Sequence, residues 1–150
     1  MILIVEDDDY KSSQILDVLD EVGAFDLIHV VDNVKEAVRF IKSSIPKKII
    51  LDMSLPSHKA LPGQGTPTPL PTGGIEVLFQ LKSMGLMNLP ILILTQYPEI
   101  EIEGDSIPVE ESAEVFDEIY GFGAISACYY NKEMPLIWKE NTIRFMRDYK

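Results

Sequence analysis

Two kinds of hydrophobic pattern alternate along this chain. Short, largely apolar runs occupy Met1 to Val5, Asp26 to Val31, Ile49 to Leu51, Leu89 to Thr95 and Ala124 to Tyr130. Their length and β-branched content predict strands, and the run Ile49 to Leu51 reads as a buried one. Between them, apolar residues recur every three or four positions, as one side of a helix requires. Ile15, Leu16, Leu19 and Val22 form such a stripe within Ser12 to Val22, with Gly23 as the stop. Val34, Ala37, Val38 and Ile41 form the next, capped by Asn33 or Asp32 and ending near Ile45-Pro46. Ile75, Leu78 and Phe79 face inward on a third helix. Val109, Ala113, Phe116 and Tyr120 share a face on a fourth, with Pro108 as its first residue and Gly121 and Gly123 ending it. The last helix, from about Pro135, aligns Trp138, Thr142, Phe145 and Tyr149.

Strands that alternate with helices predict βαβ units and a parallel sheet. Five such units suit a doubly wound α/β three-layer sandwich with the flavodoxin-like strand order 2-1-3-4-5, in which the first and third strands are neighbours at the topological switch point. Two stretches interrupt the rhythm. Pro and Gly dominate from Ser57 to Gly74, which predicts a long mobile loop leaving the rim after the third strand, with a lid over that rim as the alternative. Gln96 to Ile107 reads as an irregular acidic insertion carrying Glu99, Glu101, Glu103 and Asp105.

Composition narrows the class. The 150 residues are one domain by size, and 46% hydrophobic with 25% charged residues is the balance of a soluble globular protein. No apolar run approaches membrane-spanning length, and no basic region precedes the first, so a cytoplasmic address is the expectation. A net charge of −11 argues against direct nucleic-acid binding, because phosphate backbones would be repelled. The single cysteine, Cys128, precludes an internal disulfide, and His29 and His58 are too far apart for a zinc motif. His29, inside an apolar run, is expected to be packed.

Candidate chemistry lies where the strands end. Open parallel sheets bind ligands at the carboxyl ends of their strands. There the third strand delivers Asp52, just before Met53-Ser54-Leu55-Pro56 turns the chain away, and the first delivers Glu6-Asp7-Asp8-Asp9. Asp8 or Asp9 is the expected cap of the first helix, which leaves Glu6 and Asp7 as ligand candidates. So many acids in one pocket need a cation. Carboxylates with room for water favour Mg²⁺ or a similar ion such as Mn²⁺, and the Ser54 backbone carbonyl could complete the set from the protein. Thr95 and Lys132 arrive from the fourth and fifth strands. Such a constellation suits phosphoryl transfer to a carboxylate, with Asp52 as nucleophile, Lys132 as a point charge and Thr95 as a hydroxyl donor.

These residues resemble the receiver domains of two-component response regulators. The likeness rests on ILIVEDD at Ile2 to Asp8, ILDMSLP at Ile50 to Pro56, ILILT at Ile91 to Thr95 and YYNK at Tyr129 to Lys132, with Gly74-Ile75-Glu76-Val77-Leu78 similar to the opening of the family's third helix. The resemblance spans essentially the whole chain. It implies that Asp52 takes a phosphoryl group from a sensor histidine kinase or a histidine phosphotransfer protein in a Mg²⁺-dependent reaction. It further implies Glu6, Asp7, Asp52 and the Ser54 carbonyl as metal ligands, Thr95 and Tyr129 as the switch pair with Tyr130 as rival, and a downstream protein partner on the face built from residues 96–150. Ser54 and Tyr97 match the family positions that govern acyl-phosphate lifetime. No enzymatic role beyond the domain's own phosphorylation and dephosphorylation is implied, and no contact with membrane. Three departures stand out: the long loop after Pro56, Glu133 after Lys132 where the family generally has Pro, and a Gly123-Ala124 pair set further from Lys132 than usual.

The competing reading is a pseudo-receiver, a protein-interaction module of the same fold that works without phosphorylation. An aspartyl phosphatase would need a second acid two residues after the nucleophile, where Ser54 stands. A flavin binder would have to place its phosphate in an acidic pocket.

Overall fold

The computed structural model describes residues 1–24, 27–65 and 67–148. Asp26 and Tyr149, assigned above to a strand and a helix, lie outside them. The elements run β1 (Ile2–Val5), α1 (Asp9–Glu21), β2 (Ile28–Val31), α2 (Val34–Ser43), β3 (Lys48–Leu51), α3 (Gly73–Ser83), β4 (Ile91–Thr95), β5 (Glu99–Ile102), β6 (Asp105–Pro108), α4 (Val109–Tyr120), β7 (Ile125–Tyr129) and α5 (Pro135–Asp148). Five strands pair in parallel in the order β2-β1-β3-β4-β7, the flavodoxin-like order predicted, with β7 as the fifth sheet strand. The register places Val5 beside Leu51, Leu51 beside Ile93 and Thr95 beside Tyr129, so the strand ends line one rim.

The unbroken apolar runs are explained by helices on both faces of the sheet. β1, β3 and β4 are buried at every position. Leu3, Val5, Ile49, Leu51 and Ile93 point into one core layer with α2, α3 and α4, while Ile4, Ile50, Leu92 and Leu94 point into the other with α1 and α5. Each such side chain contributes roughly 1.5–3 kcal/mol by leaving water, which is why the register cannot slip. Caps fix the helix starts: Asp8 accepts from the Lys11 N–H at 3.1 Å, and Asn33 accepts from the Glu36 N–H at 2.9 Å.

Several expectations need correction. Residues 99–108 are not irregular: β5 and β6 form an antiparallel hairpin, turned by Glu103 and Gly104 at φ 51° and 84°. Its Ile100 and Ile102 join the core around Val109 and Phe116, and this burial outweighs the acidic residues that alternate with them. Pro108 ends β6, and the helix begins at Val109. On α1 the inward residue is Val18 rather than Leu16, and on α3 Phe79 is turned out, in edge contact with Tyr120. His29 is exposed on the edge strand β2, stacked on the Phe40 ring at 4.2 Å.

Among its described residues, the Pro/Gly-rich segment carries no helix or long strand before α3 begins at Gly73, yet it is tied at its base. Leu55 and Leu70 exchange both backbone hydrogen bonds, at 3.1 and 2.8 Å. The Gly74 N–H then donates to the Met53 carbonyl at 2.9 Å, which brings α3 directly against the turn after Asp52.

Candidate phosphoacceptor site

The site is built by the parallel pairing of β1 with β3. The Asp52 N–H donates to the Val5 carbonyl at 3.0 Å, continuing the ladder one residue past both strands. Glu6 and Asp52 therefore emerge side by side where the backbone leaves the sheet. Glu6, Asp7 and Asp52 each offer a carboxylate oxygen, all within 4.8 Å of one another. Glu6 and Asp52 are 4% and 2% exposed, and Asp7 is half-buried. The Glu6 carboxylate accepts the Asp8 N–H at 3.1 Å and the Asp52 carboxylate accepts the Met53 N–H at 2.8 Å, so backbone dipoles hold both in place.

Burial dominates the electrostatics. It lifts the Glu6 carboxyl to about 8 against the pull of the Lys11 ammonium, and the Asp52 charge adds to the rise. Asp52 is likewise raised by burial, opposed by Lys11 and by the Met53 and Ser54 N–H groups. Asp7 is raised by burial and then by the charge on Asp52. Three hard carboxylates converging in this way are a donor set that fits a divalent cation with a preference for oxygen.

The amine that faces the acids is that of Lys11, on the first turn of α1. Its Nζ stands 2.6 Å from Glu6 Oε2 and 3.4 Å from Asp52 Oδ1, and donates to the Leu94 carbonyl at 2.6 Å. Its side chain is 1% exposed. Lys132, expected in that position, is exposed and lines a shallow depression with Gln96, Tyr97, Tyr129, Asn131 and Glu133. Among the described residues no carboxylate lies within 4.0 Å of its amine. The sheet ladder runs one residue past β7, with the Tyr130 N–H donating to the Thr95 carbonyl at 2.7 Å, and Lys132 lies in the turn that follows.

Sequence reasoning passed over Lys11, although a signal was present. Lys11, Ile15, Val18 and Leu19 share one helical stripe, and all four are buried. A lysine on an apolar stripe near a strand end requires a buried partner.

Thr95 is fully buried at the end of β4, and its Oγ1 accepts the Tyr97 N–H at 3.4 Å. It lines a cleft of about 390 Å³ with Met53, Pro71, Tyr97, Ile100 and Glu101, between the site, the Pro-rich segment and the hairpin. The two tyrosines after Cys128 part company. Tyr129 is half-exposed toward the Lys132 depression. Tyr130 is buried against Trp138, with ring centroids 5.0 Å apart, and its hydroxyl bonds Gln14 on α1.

Several solved structures that share this fold are response regulators. The chain is similar to the phosphorylated cyanobacterial phytochrome response regulator RcpA, with a TM-score of 0.65 and 18% identity over 99% of this chain and 95% of that one. The Mn²⁺-bound form of response regulator Rcp1 gives a TM-score of 0.60 at 18% identity, over 97% of this chain and 92% of that one. The signal receiver domain of a putative LuxO repressor protein from Vibrio parahaemolyticus gives 0.57 at 19% identity, over 98% and 92%. Sheet order and helix placement are thus those of a response-regulator receiver domain. No protein-family model matches the sequence. The Detocs response regulatory protein DtcB of Vibrio alginolyticus is 62% identical over 148 residues, which is 98% of this chain and 99% of that protein. The chain belongs to this family of Detocs response regulatory proteins. Among the described residues no helix is long and apolar enough to cross a membrane.

Proposed function

We propose that this one-domain receiver is a phosphoacceptor in which Asp52 takes a phosphoryl group from a phosphohistidine on a sensor histidine kinase or a histidine phosphotransfer protein. The observation that carries this reading is the convergence of the Glu6, Asp7 and Asp52 carboxylates within 4.8 Å at the carboxyl rim of adjacent strands. A carboxylate is a competent nucleophile only where the charge of the incoming phosphoryl oxygens is neutralised. A Mg²⁺ ion held by Glu6, Asp7, Asp52 and the Ser54 carbonyl supplies part of that neutralisation when bound. The carbonyls of Met53 and Leu55 on either side are already taken, by the N–H groups of Gly74 at 2.9 Å and Leu70 at 2.8 Å. That leaves the Ser54 carbonyl as the one in this turn suited to a ligand.

Asp52 is oriented for attack by the Met53 N–H. Thr95 supplies a hydroxyl to a phosphoryl oxygen, and its movement is relayed to Tyr129, its ladder partner. The switch then reads out on the face formed by residues 96–150, where the β5–β6 hairpin gives the partner surface an edge absent from a plain five-strand receiver. The signalling role needs no activity beyond transfer onto Asp52 and hydrolysis from it.

The test is phosphorylation by acetyl phosphate with and without Mg²⁺, followed by intact mass. One phosphoryl group is expected on the wild type with Mg²⁺, and none on Asp52→Asn. An equal gain on Asp52→Asn would overturn the assignment.

A further inference from the structure

A phosphoryl group arriving on Asp52 brings nearly two negative charges into a pocket already formed by three carboxylates. A divalent ion balances part of this. The remainder calls for a side-chain cation that reaches Asp52 from inside the fold, and the exposed Lys132 is not placed to do so.

We propose that Lys11, not Lys132, supplies the ammonium that neutralises the phosphoryl group on Asp52. The inference rests on Asp52 as acceptor and adds the identity of the cation. Lys11 Nζ is already 3.4 Å from Asp52 Oδ1 and is tethered on its other sides by Glu6 Oε2 and the Leu94 carbonyl, each at 2.6 Å. Its position is over-determined. The amine lies 5.2 Å from the centroid of the Tyr130 ring, and Tyr130 is locked by Trp138 on one side and by Gln14, one turn along α1 from Lys11, on the other. A cation held so closely loses little freedom when it transfers a hydrogen bond to an incoming oxygen.

The step balances without changing Lys11. The N–P bond of the donor phosphohistidine breaks as an Asp52 oxygen forms the O–P bond. The imidazole nitrogen leaves with the bonding pair, and the aspartyl phosphate keeps the phosphoryl charge. Lys11 retains its protons throughout and redirects one N–H from the carboxylates to a phosphoryl oxygen, with the Leu94 carbonyl as the fixed anchor. A lysine in this role acts from the helix that opens at the acidic cluster, so the loss of Lys132 from the rim leaves the chemistry intact.

The experiment compares wild type, Asp52→Asn, Lys11→Met and Lys132→Met with acetyl phosphate at saturating Mg²⁺, and follows Mg²⁺ binding separately by tryptophan fluorescence. Lys11→Met is expected to lose on the order of 10²-fold in phosphorylation rate, the range seen when one charge-stabilising donor is removed. Its Mg²⁺ affinity should hold or rise, because an ammonium no longer competes for the same oxygens. Lys132→Met should stay within about fivefold of wild type, as befits an exposed charge. A loss in Lys132→Met as large as that in Lys11→Met, an unimpaired Lys11→Met, or a parallel fall of rate and Mg²⁺ affinity in Lys11→Met would overturn the proposal. Phosphorylation of Asp52→Asn would instead sink the acceptor assignment. Should Lys11→Met not fold, a crystal structure of the wild type with Mg²⁺ and beryllofluoride decides: a fluorine within hydrogen-bonding distance of Lys11 Nζ supports the proposal, and its absence overturns it.

Discussion

Lys48 closes the end of α5 from the opposite side of the molecule: its Nζ donates to the Met146 carbonyl at 2.7 Å, with the Phe145 carbonyl at 3.5 Å. The last carbonyls of a helix have no intrahelical donor and carry the negative end of the dipole, so a buried cation there satisfies both needs. Its sequence position at the start of β3 gives it an inward direction shared with Ile50, two residues on. Lys48→Met keeps the apolar stem and removes the donor. It should destabilise the fold by about 1–2 kcal/mol, read as a lower urea midpoint with an unchanged slope.

Gly74 packs its Cα against the turn that carries the acceptor. A Cβ there would lie 2.4 Å from Met53 Cε, 2.5 Å from the Asp52 carbonyl oxygen and 2.7 Å from Met53 Cα. Alanine would favour a helix by roughly 1 kcal/mol over glycine in open surroundings. Here two of the three contacts are with backbone atoms, which cannot swing aside as the Met53 methyl can. Gly74→Ala should therefore be destabilising by about 1–3 kcal/mol and should also slow phosphorylation by shifting Asp52. Urea denaturation beside the acetyl phosphate assay checks both, and a stabilised variant would show the turn to be free to adjust.

The central parallel strands were legible because burial on both faces leaves a signature that few other arrangements produce: apart from Lys48 at the start of one and Thr95 at the end of another, ILIV, KIIL and ILILT carry only apolar residues, and all of them are buried. The acids were legible for the same reason, since they end those runs. What escaped was governed by contacts across the fold. The EIEI segment of β5 has the period of a strand, with Ile100 and Ile102 buried and both glutamates exposed, but the acidic density of Gln96 to Ile107 reads as an irregular stretch. Lys132 follows the fifth strand in the sequence, but a turn at residues 132–133 leaves it exposed, and a turn of that kind has no signature in the apolar pattern. Lys11 went unseen because a lysine in the first turn of a helix is ordinarily solvated, and only its place on the Ile15–Leu19 stripe says otherwise.

The raised Glu6 carboxyl predicts a pH dependence in the absence of divalent ions. Its value in the fold is about 8, above the ordinary 4.5, so the folded state holds this proton more tightly than the unfolded chain. The associated stability is present in full below the unfolded value and is lost as pH rises through about 8. In EDTA, Tm should fall between about pH 5 and about pH 8.5, and the fall should be shallower in Glu6→Gln. Added Mg²⁺ should raise Tm most at the alkaline end, where the carboxylates it would bind are charged. A profile identical in wild type and Glu6→Gln would show that the proton resides elsewhere.

Tyr97 stands over the acceptor rim from two sides. Its N–H is bonded to Thr95 Oγ1, and the residue lines both the cleft beside Thr95 and the depression around Lys132. The side chain is 49% exposed, so it is not needed for the core, and truncating it should leave stability nearly unchanged. Hydrolysis of an aspartyl phosphate requires water to reach phosphorus from outside the pocket, and a phenol ring beside Thr95 occupies part of that approach. Tyr97→Ala is therefore expected to shorten the lifetime of the phosphorylated protein severalfold while leaving the rate of its formation from acetyl phosphate within about twofold. Decay of the phosphorylated mass after removal of the donor measures this directly. An unchanged decay rate would assign the lifetime to residues nearer Asp52, Ser54 first among them.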